Sequence, residues 1–64
     1  MDNFAHLIIH TNAIPFRGLA LAKHVHGGFI VFVNGEVLRE KRHFNERVFV
    51  TADAALKAGA RARR

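Results

Sequence analysis

Apolar residues are densest at 29–38, FIVFVNGEVL, where two apolar runs flank Asn34 and Gly35. Asn-Gly between strand-forming runs is the strongest short hairpin signal. A two-residue type I′ turn needs positive φ at both central positions, which Asn tolerates and Gly adopts freely. Val, Ile and Phe before the turn suit a pleated backbone. With Asn34 and Gly35 as the loop, Val33 falls opposite Glu36, Phe32 opposite Val37 and Val31 opposite Leu38. One face of the ribbon then carries Phe29, Val31, Val33 and Leu38, and the other Ile30, Phe32 and Val37. Both faces are apolar near the turn, whereas an antiparallel sheet with one wet face alternates apolar with polar.

The remaining segments read as additions to this ribbon. Residues 16–25, FRGLALAKHV, contain good helix formers, but Gly18, the short run and the Gly27-Gly28 that follows favour a strand. Its faces are Leu19, Leu21, Lys23 and Val25 against Ala20, Ala22 and His24. Residues 4–10, FAHLIIH, have strand composition and read as a further strand or a loose arm, ended by Asn12 and Pro15. Beyond the turn, Arg39, Glu40, Lys41, Arg42 and His43 are charged or polar on both faces, which suits an edge or a projecting ribbon. Phe44 is expected to return the chain to the core, Asn45 and Glu46 to make a turn or bulge, and residues 47–50 a last short extended piece.

Thr51 is placed as the N-cap of a helix built from Ala, Leu and Lys. Asp53 in its first turn and Arg61, Arg63 and Arg64 at its end complement the helix dipole. The apolar stripe, Ala52, Ala55, Leu56, Gly59 and Ala60, is thin, so the helix must lie close to the sheet, and Gly59 is where close approach is permitted. The expected fold is one α+β domain: an antiparallel meander of three to five strands with one C-terminal helix across a face. Residues 1–15 form the N-terminal strand or arm, 16–50 the sheet and 51–64 the helix.

Size changes the picture next. A chain of 64 residues buries only about 60% of its unfolded surface. With no Cys there is neither a disulfide nor a thiolate metal site to add stability. Tight packing, a histidine-bound metal or oligomerisation must serve instead. A single helix covers only one face of a small sheet, so Ile30, Phe32 and Val37 on the other face are expected to form a twofold dimer interface. The alternative is that residues 4–15 fold over that face and seal it. No run approaches the roughly 20 apolar residues of a membrane span, and the start of the chain lacks the features of a secretory leader, so a cytoplasmic location with no membrane partner is expected.

Ten Lys or Arg against five Asp or Glu give a net charge of +5, a field that attracts polyanions. The basic residues cluster as Arg39, Lys41, Arg42, His43 and Arg47 on the ribbon, and Lys57, Arg61, Arg63 and Arg64 on the helix. A charged ribbon of this kind can track a phosphate backbone. Single-strand binding also wants exposed aromatics, and the six Phe, with no Tyr or Trp, are expected to be consumed by the core.

Catalysis is not expected. The chain has no Ser or Cys, only Thr11 and Thr51 as hydroxyls, and no evident carboxylate pair for acid–base work. His26-Gly27-Gly28 reads as a hairpin turn and not as a phosphate-cradling loop before a helix. Of the five histidines, His6 and His10 on a strand lie about 13 Å apart, too far for one metal. His24 and His26 are closer and would need His43 or Glu36 as a third ligand. Solvated histidines are the simpler account, and no metal or cofactor is expected.

Three stretches carry a resemblance: Phe16-Arg17-Gly18-Leu19, the run from Gly28 to Val33, and Phe49-Val50-Thr51-Ala52-Asp53-Ala54-Ala55-Leu56. Through them, residues 16–60 resemble small uncharacterised bacterial proteins with a curled antiparallel sheet and one C-terminal helix. The last stretch is also similar to the N-terminal domain of HicB-type antitoxins, without their acidic, Gly-rich central segment. The resemblance implies the fold and no activity. The function expected from the sequence is a non-catalytic, homodimeric interaction module. The alternative is nucleic-acid binding through Arg39, Lys41, Arg42, Arg47, Arg61, Arg63 and Arg64.

Overall fold

Strands β1 (Ile8–Thr11), β2 (Leu19–Lys23), β3 (Phe29–Val33) and β4 (Glu36–Val37) make one antiparallel sheet in the order β1-β2-β3-β4. Helix α1 (Ala52–Arg63) packs against it. This computed structural model describes residues 8–63. The expected α+β meander is the architecture found. Residues 4–7 of the N-terminal segment lie outside the described residues, and 8–10 belong to β1, which pairs with β2 through Ile8↔Ala22 to Thr11↔Leu19.

The hairpin forms as its turn chemistry requires. Asn34 and Gly35 have φ of 52° and 90°, both positive, and the register is Val33↔Glu36 and Phe32↔Val37. The Leu38 N–H donates to the Val31 carbonyl at 2.9 Å, one step further along the same ladder. There the strand ends. Residues 39–46 leave the sheet as a projecting arm, and the chain returns so that Phe49 and Phe29 exchange two hydrogen bonds of 2.7 and 2.8 Å. The second half of the hairpin is therefore two residues of strand, an excursion and a bridge, where the sequence suggested one extended piece to Phe44.

Two contacts hold the ends of this layout. The Ala54 N–H donates to Thr51 Oγ1 at 3.1 Å, so Thr51 caps α1 as expected. In the middle of the helix a Cβ on Gly59 would lie 2.8 Å from Val31 Cγ2 and 3.4 Å from Leu19 Cδ1. The helix sits on the sheet at a distance only glycine allows, with Ala55 and Gly59 buried. Leu19, Leu21, Val31 and Ala55 form the core, flanked by Phe29, Val33, Leu38, Phe49 and Leu56. The helix thus covers the face that carries Val31 and Leu38.

The opposite face departs from expectation. Ala22 and Ile30, adjacent across β2 and β3, are both at 0% exposure within the single chain. Ile30 therefore has no surface to give a second copy, and its assignment to a dimer interface is corrected. Phe32 and Val37 are half-buried, and the open part of the face shifts to β1, where Ile8, the partner of Ala22, is 50% exposed. Among the described residues no helix is long and apolar enough to cross a membrane.

Candidate nucleic-acid interface

The arm is built on itself. Arg39 and Glu46 are bridged at its base, the Glu40 N–H donates to the Asn45 carbonyl at 2.8 Å, and the Phe44 N–H donates to the Glu40 carbonyl at 3.0 Å. The Arg39 guanidinium crosses the tip and donates to the Phe44 carbonyl at 2.9 Å. At the root the Arg47 N–H donates to the Leu38 carbonyl at 3.0 Å, and the Arg47 guanidinium lies 4.9 Å from the Phe49 ring centroid. That cation–π contact orients a charge that remains available to solvent.

Between this arm and the last turns of α1 runs a groove of about 690 Å³, lined by Leu38, Arg39, Glu40, Lys41, Arg42, His43 and Arg47 on one side and Ala58, Arg61 and Ala62 on the other. Two basic segments well separated in sequence thus face the same space. The small alanines on the helix side leave the groove open. Five of the lining residues are cationic and one, Glu40, is a carboxylate. Among the described residues none of these cations forms an ion pair; the single salt bridge is elsewhere, between His24 and Glu46. The helix C-terminus contributes a partial charge of about −0.5, which opposes an anion here but is small beside five full cations.

Not every basic residue singled out in the sequence belongs to the groove. The guanidinium of Arg63 donates to the backbone carbonyls of Pro15 and Arg17, tying the helix end to the turn before β2. Its role is structural, and its assignment to the interface is corrected. Lys57 lines a second cleft with Pro15, Phe16, Ala60, Arg61 and Arg63, so Arg61 borders both. Arg64 lies outside the described residues.

The aromatic accounting also changes. Phe44 was expected to return to the core, yet the residue is 72% exposed and its φ is +59°. One signal in the sequence marks it: Phe44 is the sole apolar residue between Leu38 and Val48, so no neighbour could help draw it inward.

His24 and His26 come together, with ring centroids 5.4 Å apart, but in the turn after β2 and not on a strand. The His26 N–H donates to His24 Nδ1 at 3.2 Å, so in the neutral ring the proton sits on Nε2, which faces Glu46 Oε1 at 3.6 Å. The partner is Glu46, where the sequence offered Glu36 or His43. Among the described residues no group of three or more His, Cys, Asp or Glu side chains is placed to hold a metal ion. No family model, curated protein or solved structure matches the chain.

Proposed function

We propose that the protein is a non-catalytic binding module whose ligand is a nucleic-acid backbone, held in the groove between the arm and α1. One observation carries this reading: Lys41 and Arg42 of the arm and Arg61 of the helix share a groove with no described carboxylate paired to any of them. Here, cations from distant segments converge unpaired, as a site for successive phosphates requires. With such a ligand the protein would work in the cytoplasm.

Salt dependence tests the reading. If Lys41, Arg42, Arg47 and Arg61 each neutralise one phosphate, log Kd on a single strand should rise with log salt with a slope of about 3. The double variant Lys41→Ala, Arg42→Ala should bind more weakly at low salt and lower that slope by about 1.4. Absence of binding at low salt, or a slope the double variant leaves unchanged, would overturn the proposal. Arg39 is left intact in this test because its guanidinium holds the arm tip.

A second reading, self-association, draws on the exposed edge of β1 and on a cleft of about 380 Å³ lined by Ile8, His10, Ala20 and Phe32. It places the contact at the β1 edge, away from Ile30.

A further inference from the structure

We infer that the nucleic acid taken by this groove is single-stranded and that the Phe44 ring is a platform on which one of its bases stacks. This rests on the groove reading above and adds the class of ligand. Phe44 follows His43, the groove-lining residue at the arm tip. Phe44 is 72% exposed, which forgoes the burial that ordinarily retains a Phe. Its backbone is at φ +59°, a region where a bulky residue is an outlier and where Asn or Gly would serve the turn with less strain. The turn therefore does not explain the ring, and neither does the core.

The backbone that carries the ring is also held in place. The Phe44 N–H is bonded to the Glu40 carbonyl and the Phe44 carbonyl to the Arg39 guanidinium, so the main chain on both sides of the ring is fixed before any ligand arrives. An exposed aromatic next in sequence to the groove-lining Lys41, Arg42 and His43 is the combination that suits single strands, because every unpaired base offers a π-face and every nucleotide a phosphate. A duplex keeps those faces stacked inside itself.

Calorimetric titration of the full chain with three probes tests the inference: a dT oligomer of about 12 nucleotides, the same sequence as a closed duplex, and inorganic polyphosphate, which has charge and no bases. The wild-type protein should bind dT at least about tenfold more tightly than the duplex. Phe44→Asn, which suits the positive φ, should lose about tenfold to a hundredfold on dT and nothing on polyphosphate. Phe44→Leu, which keeps apolar bulk without the π-face, should lose most of the same affinity. Thermal unfolding of Phe44→Asn at or above the wild-type midpoint shows that the fold is retained. If polyphosphate binds while Phe44→Asn binds dT like wild type, or if the duplex is bound as tightly as dT, stacking is overturned and the cationic groove stands. If neither dT nor polyphosphate binds at low salt, the groove reading itself falls.

Discussion

Ile30→Ala is expected to remove at least about half of the protein's folding stability. The Ile30 side chain is at 0% exposure, the second residue of β3, between Ala22 on β2 and the gap where the chain departs into the arm. Large-to-small changes of this kind cost about 2–5 kcal/mol through lost burial and the cavity left behind. A domain of this size has only about 3–5 kcal/mol to lose. Ala22 opposite is too small to close the void. Chemical denaturation should give a loss of at least about 2 kcal/mol that does not vary with protein concentration. A loss under about 1 kcal/mol, or one that shrinks as concentration rises, would instead place Ile30 at a contact between copies.

Gly28→Ala should be comparably damaging, for a backbone reason. Gly28 has φ of +81°, and a Cβ there would meet Val48 Cγ1 at 2.6 Å and the Phe49 carbonyl oxygen at 2.8 Å. The second atom is main chain and belongs to the carbonyl that accepts from the Phe29 N–H, so relief would pull apart the Phe29–Phe49 bridge. Left-handed strain of about 1–2 kcal/mol and weakening of two hydrogen bonds, about 0.5–1.5 kcal/mol each, together give a loss of about 2–5 kcal/mol. Gly27→Ala is the control. Its φ is +100° with nothing within 4 Å of the added Cβ, so it carries the strain alone. Gly28→Ala should exceed it by at least about 1 kcal/mol in the same denaturation experiment. Equal losses would mean that the returning chain does not press on Gly28.

What was legible in the sequence was what local chemistry decides. The Asn34-Gly35 turn follows from the φ values those residues tolerate, and it fixed the register of Phe32 and Val33 without knowledge of the rest. Thr51 as a cap and Gly59 as the point of close approach follow from helix geometry and a thin apolar stripe. The misses are non-local. Strand β4 stops at Val37 because the ladder is resumed by Phe49 and not by the next residues in line, and no period in residues 39–46 encodes that. Ile30 was assigned to a partner because both faces of the ribbon are apolar, but alternation does not tell a face covered by its own chain from one covered by another. Phe44 was counted toward the core on residue type alone. The basic residues were identified by number, yet it is the fold that brings Arg61 beside Lys41 and Arg42 and turns Arg63 away toward Pro15 and Arg17.

The most direct test of the binding groove is an amide chemical-shift map of the full chain titrated with the dT oligomer. The account predicts that the largest shifts fall together on Lys41, Arg42, His43 and Arg47 of the arm and on Ala58, Arg61 and Ala62 of the helix, the two walls of one groove. Shifts concentrated on Ile8, His10, Ala20 and Phe32 across the sheet, or shifts in the arm with the helix unmoved, would contradict it.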